Sequence, residues 1–216
     1  MEIILHRINK VKDLKTVHPR FGVEIDIRTY GKDLILSHDP FKKGDKLEDY
    51  LSEYRHGTLI LNIKESGIEN NVLSLIQGYH NVKNYFLLDV EFPYIFTASK
   101  KNFKNIAIRF SEVESINTVM EFKGLVNWVW IDTFTKLPLN QNSINILKHF
   151  KTCLVCPERW NRPEDITPYK EKLQKINFRL NAVMTSRYTY NEWLEGVYKE
   201  IEPSSYINKY EDLELL

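Results

Sequence analysis

The chain has 216 residues, 43% hydrophobic and 27% charged, with 30 Lys and Arg against 29 Asp and Glu. That balance is globular and excludes intrinsic disorder and fibrous architecture. A net charge of +1 gives no bulk electrostatic attraction for nucleic acid or membrane, so any phosphate the protein handles must be held locally.

Met1 to Arg7 has neither the basic nor the long apolar region of a secretory signal, and no stretch approaches about 18 uninterrupted apolar residues. A cytoplasmic protein with no stable membrane insertion is expected. Short apolar runs rich in β-branched and aromatic residues then recur along the chain, as strands buried on both faces do. They span Glu2 to Leu5, Val23 to Ile27, Thr58 to Ile63, Tyr85 to Val90, Ile106 to Phe110, Val126 to Ile131, Thr152 to Val155 and Leu180 to Met184. Between them, helical spacing or helix-start residues mark Val11 to Val17, Lys46 to Tyr54, Ile68 to Gly78, Pro93 to Lys101, Val113 to Phe122, Asn142 to Phe150 and Pro163 to Ile176. A last helix runs from Tyr190 to Ile201, with Trp193, Leu194, Val197 and Tyr198 on one face.

Eight βα units in one domain of 216 residues predict an α/β fold, a compact (β/α)8 TIM barrel with almost no insertions. An open doubly wound sheet gives the same alternation, but no Gly-rich phosphate loop follows the first strand. Tyr30-Gly31-Lys32-Asp33 reads as a tight turn into Leu34-Ile35-Leu36, a small β-hairpin after strand two. Cys153 and Cys156 lie in an apolar run without a partner pair for zinc, so buried reduced thiols are expected. Glu202 to Leu216 reads as a surface tail.

In a barrel, chemistry gathers at the carboxyl ends of the strands. The polar residues there are His6 and Arg7, Glu24 and Asp26, His38 and Asp39, Asn62 and Lys64, then Asp89, Arg109, Asp132, Glu158 and Ser186. Glu24 and Asp26 share one face of a strand with Cα atoms about 6 to 7 Å apart. Two carboxylates in an apolar interior repel unless a cation relieves them. Oxygen ligands favour Mg²⁺ or Ca²⁺ over zinc, and pairing with Arg28 or Lys64 is the alternative. His6 and His38 suit proton transfer, and Arg7 and Lys64 suit phosphate oxygens. Trp128 and Trp130 share a face, as barrel filling or helix packing or with Trp130 nearer the mouth stacking on a sugar or lipid headgroup, while Trp160 beside Glu158 is the better candidate for substrate contact.

The order His6-Arg7, Glu24-x-Asp26, His38-Asp39 and x-Lys64 resembles the glycerophosphodiester phosphodiesterase family, among the phosphatidylinositol phospholipase C-like phosphodiesterase barrels. Ala182-Val183-Met184-Thr185 resembles the family's last strand. The resemblance implies a phosphoric diester hydrolase acting on a small-molecule or lipid-derived phosphodiester. It implies His6 and His38 as the acid/base pair, one divalent cation held by Glu24 and Asp26, and attack on phosphorus by a neighbouring substrate hydroxyl. Asn62 stands where the family usually carries an acidic ligand, and Ser186 where Asp commonly follows Thr. Asp89, Glu158 and Trp160 are further candidate contacts. A non-catalytic phosphate- or polyol-binding barrel and a metal-independent phosphodiester lyase remain alternatives, and the oligomeric state is left open.

Overall fold

The computed structural model describes residues 1–194. Parallel strands β1 (Glu2–Leu5), β2 (Gly22–Tyr30), β4 (Leu59–Ile63), β5 (Tyr85–Leu88), β6 (Ala107–Phe110), β7 (Trp128–Ile131), β8 (Lys151–Val155) and β9 (Ala182–Thr185) form one sheet. Their spatial order is β5-β4-β2-β1-β9-β8-β7-β6. A parallel bridge between Leu87 and Ile106 brings the two outer strands together. The result is a nearly closed (β/α)8 barrel. The expected hairpin is present: β3 (Asp33–Leu36) pairs antiparallel with β2 through a two-residue turn in which Gly31 has φ +64°.

Alternation along each strand divides the apolar residues into two sets. Ile4, Ile60, Phe86, Ala107, Trp128, Cys153 and Ala182 fill the barrel, with Leu88, Trp130, Val155 and Met184 nearer its carboxyl end. Trp128 stacks on Phe86 with centroids 4.5 Å apart as interior filling, whereas Trp130 lines the cavity at the carboxyl end. The opposite parity, including Val23, Ile25 and Ile27 of β2, packs beneath the helices. On β2 the inward positions are therefore Gly22, Glu24 and Asp26. The alternation that buries three aliphatic residues outside leaves two carboxylates inside.

Gly22 is fixed by the floor of the barrel. A Cβ there would stand 2.5 Å from the Thr58 carbonyl oxygen, 2.9 Å from Ile4 Cγ1 and 3.0 Å from Glu2 Oε1. Glu2 is itself committed, accepting from the Thr58 N–H and hydroxyl at 2.6 and 2.7 Å. Gly22→Ala is expected to destabilise the fold by about 1–3 kcal/mol as an overpacking substitution. Urea unfolding checks this, with a lower midpoint at unchanged slope as the expected result.

The helices are shorter than their sequence patterns. The first is α1 (Val11–Leu14), and the segment from Val113 yields α5 (Ile116–Glu121) behind a Ser115 cap. Pro163–Asp165 forms a 3₁₀ turn before α7 (Ile166–Lys175), and a second 3₁₀ turn over Pro157–Trp160 was not evident in the sequence. The last described helix is α8 (Tyr190–Leu194), where Trp193 donates its indole N–H to Cys156 Sγ at 2.9 Å. Val197, Tyr198 and the expected tail lie outside the described residues. Cys153 and Cys156 are free and buried. Among the described residues no helix is long and apolar enough to cross a membrane.

Candidate active site

The carboxyl ends of the strands enclose a polar cavity of about 160 Å³. His6, Arg7, Glu24, Asp26, His38, Asn62, Lys64, Asp89 and Trp160 all line it. Of the strand-end residues, Asp39, Glu158 and Ser186 are outside, and Glu158 and Ser186 line an adjoining cavity that shares His6 and Arg7.

β1 ends by donating the His6 N–H to the Thr185 carbonyl, and the chain then turns at Arg7 with φ +53°. That left-handed residue points its N–H at Glu24 Oε2, 2.8 Å away. Arg7 has no Cβ-free backbone to ease this conformation, so the bond to Glu24 helps hold it. Glu24 Oε1 accepts from Asn62 Nδ2 at 2.8 Å. Asp26 is gripped by Asn9, which donates Nδ2 to Oδ2 and accepts the Asp26 N–H, both at 2.8 Å. Arg7 Nε and Lys64 Nζ stand 3.8 and 3.5 Å from the Asp26 carboxylate. Arg28 does not pair with either carboxylate, instead donating to the carbonyls of His38 and Lys64 and so tying the hairpin to β4.

Burial, and then the charge of Asp26, push the Glu24 carboxyl up to about 7. Burial also lowers His6 to about 3, aided by Arg7, Arg159, Lys64 and His38. The 3.9 Å approach of His6 Nε2 to Glu24 is therefore a contact of a neutral ring. His38 Nδ1 lies 2.9 Å from Asp39 Oδ1, and that partner holds the exposed Asp39 below the ordinary carboxylate range.

No protein-family model and no curated protein matches the sequence. Among solved structures, a protein from Agrobacterium tumefaciens assigned as a glycerophosphoryl diester phosphodiesterase superposes with a TM-score of 0.64 at 10% identity, over 90% of this chain and 96% of that one. A glycerophosphodiester phosphodiesterase from the same species gives 0.59 at 11% identity, over 88% and 97%. The fold is that of the glycerophosphodiester phosphodiesterases.

In this phosphodiesterase-like barrel the far side of the mouth is organised by Arg109. It meets Asp89 at 2.8 Å, Glu114 at 2.6 Å and Asp132 at 2.8 Å. Burial opposes its charge, but the three carboxylates more than offset this and hold the guanidinium ionised. Asp89, itself left-handed at φ +56°, also reaches Lys64 at 3.3 Å. Asp132 accepts the Trp160 indole N–H at 2.9 Å, and that ring meets Phe134 edge-on. Glu158 is turned toward β9 rather than into the main cavity: Oε1 accepts from the Thr185 hydroxyl, the Ser186 N–H and the Thr189 hydroxyl at 2.7, 2.9 and 2.9 Å.

Beside Glu24, two buried oxygens, Asp26 Oδ1 and Asn62 Oδ1, have no hydrogen-bond partner. Orphaned acceptors beside a carboxyl forced toward neutrality are the environment a hard divalent cation relieves. Glu24, Asp26 and Asn62 fit such an ion. Among the described residues no three His, Cys, Asp or Glu side chains form a ligand cluster, so an ion here would draw its third oxygen from the Asn62 amide. Asn9 and Arg159, which the sequence did not single out, also take part. Asn9 is legible only through its bonds to a residue seventeen positions away.

Proposed function

We propose that the protein is a phosphoric diester hydrolase that cleaves a small or lipid-derived phosphodiester with His6 and His38 as proton-transfer groups. The observation that carries this reading is the convergence of both imidazoles on the cavity that holds Glu24, Asp26, Arg7 and Lys64, in a fold shared with phosphodiesterases.

His6, neutral at physiological pH, takes the proton of the attacking hydroxyl, which belongs to water or to the substrate. His38, with Nδ1 engaged by Asp39, exchanges a proton through Nε2 and donates it to the departing alkoxide. Arg7 and Lys64 hold the non-bridging phosphate oxygens, the guanidinium by a fork and the ammonium as a point charge. Glu24, Asp26 and Asn62 would hold the divalent cation, which when bound supplies further neutralisation of charge building on those oxygens. Asn9 fixes the Asp26 carboxylate, and Arg109 fixes the wall opposite.

A metal-independent lyase is the second reading. It is favoured by the Lys64 ammonium, which already stands 3.5 Å from the orphaned Asp26 oxygen. Turnover of glycerophosphodiesters with Mg²⁺, with Ca²⁺ and with chelator separates the two. Loss in chelator supports the first and activity untouched by chelator supports the second. Complete inertness with phosphate binding retained would leave a binding barrel.

Asn62→Asp tests the ligand set directly. A third carboxylate is expected to tighten Mg²⁺ binding by about tenfold. It is also expected to lower stability without the ion, since the bond to Glu24 becomes a repulsion. Calorimetry showing unchanged affinity would remove Asn62 from the set.

A further inference from the structure

We infer that one half of the cavity rim is a docking surface for an anionic lipid bilayer. Phe41 is 98% exposed, Tyr188 83% and Trp160 36%. They stand on the loops after β3, β9 and β8, and those same loops bring His38, Ser186 and Trp160 to the cavities at the mouth. In the sheet these loops lie on one side of the barrel, on either side of the loop after β1, because β3 pairs with β2 and the order runs β2-β1-β9-β8. The aromatic residues therefore trace one arc of the rim.

Phe41 makes the case most sharply. It lies between Pro40 and Lys42-Lys43 in the left-handed region at φ +61°. A bulky residue is disfavoured there, and with almost its whole side chain in water it gains nothing from packing. Folding does not explain a phenylalanine at this position, whereas an aromatic flanked by lysines suits the bilayer interface, where rings sit at headgroup level.

Charge divides the rim the same way. Lys10, Lys42, Lys43 and Arg159 on the arc are exposed and form no ion pair among the described residues. The carboxylates of the arc, Asp39, Asp45 and Glu158, keep their charge, and these four bases against three acids leave the arc net positive. The opposite sector carries Asp89, Glu91, Glu112 and Glu114 against Lys64 and Arg109, which pair with Asp89 and Glu114, and is net negative. An anionic surface would attract the arc and repel the far side, tilting the mouth onto the headgroups. This deepens the phosphodiesterase reading, on which it rests for the claim that the substrate comes from a bilayer lipid. The docking itself needs no turnover.

Sedimentation of the full chain with vesicles tests the docking. The protein is expected to pellet with equal parts phosphatidylcholine and phosphatidylserine, not with phosphatidylcholine alone, and to be released by salt. Phe41→Ser is expected to weaken binding at least about tenfold. Lys42→Gln with Lys43→Gln is expected to weaken it roughly thirtyfold, at about 1 kcal/mol per basic residue. All three substituted residues are exposed, so melting should be unchanged. Absence of pelleting, or equal binding by parent and variants, overturns the inference. So does a self-associated chain that Phe41→Ser dissociates but that ignores vesicles. Vesicle binding by a chain inactive on every diester would sink the catalytic reading and leave the surface standing.

Discussion

Replacing His6 by alanine is expected to lower phosphodiester turnover by about two to four orders of magnitude, the range for removing a general acid or base. Phosphate affinity, which depends on Arg7 and Lys64, should change little. His38→Ala should cost a similar factor, and the double variant little more, since the two rings serve one proton-transfer sequence. The pH profile separates this role from a structural one. With its pKa near 3, His6 is already unprotonated through the physiological range, so it contributes no acid limb near the ordinary histidine value. The group near 7 is Glu24, and below that pH a cation must displace a proton to bind. The acid limb of kcat/KM should therefore move to lower pH as Mg²⁺ is raised. A limb that stays near 6.5 at every Mg²⁺ concentration would contradict the assignment of His6 as a buried neutral base.

What the sequence makes legible here is what depends on neighbours along the chain. The parity of β2 is local: Val23, Ile25 and Ile27 define the outer face, so Glu24 and Asp26 must point inward. The hairpin is local too, because Gly31 supplies the left-handed residue its turn requires. In the sequence the barrel is distinguished from an open sheet only by the count of strands and the missing Gly-rich loop after the first. The deciding feature is a single contact between Leu87 and Ile106, which no run of residues announces. The far wall of the mouth was equally hidden. Arg109 and Asp132 are visible as strand-end residues, but their pairing through Asp89 and Glu114 depends on how four separate segments meet. Trp160 reaches the mouth as expected, held by an Asp132 bond that the sequence does not encode locally. Glu158, one turn earlier, points to Thr185 instead because the 3₁₀ turn at Pro157 rotates it toward β9.

Glu24→Gln is expected to raise thermal stability at pH 8 in chelator and to abolish the stabilisation that Mg²⁺ gives the parent. The sign follows from linkage. A carboxyl raised from 4.5 to about 7 on folding keeps its proton longer in the folded state, so stability declines as pH rises from 4.5 to 7. Above 7 the buried charge costs on the order of 3 kcal/mol, and a neutral glutamine avoids it. His6 acts in the opposite sense, since a ring lowered from 6.5 to about 3 adds stability as pH rises through that interval. From 4.5 to 6.5 the two slopes oppose each other, and above 6.5 only Glu24 remains. The parent without cation should thus gain stability from pH 3 to 4.5, hold level, and lose stability toward pH 7. The glutamine variant should keep gaining to 6.5 and then stay level. At pH 8 the difference corresponds to roughly 6–12 °C in melting temperature for a chain of this size. Mg²⁺ at about one thousand times Kd should reverse the order, because only the parent can convert its carboxylate into ligand energy, by about 4.1 kcal/mol at that concentration. A variant less stable than the parent at pH 8 in chelator would mean that Lys64 and Arg7 already compensate the carboxylates. The cation would then have no unmet charge to answer, and the metal-independent reading would stand in its place.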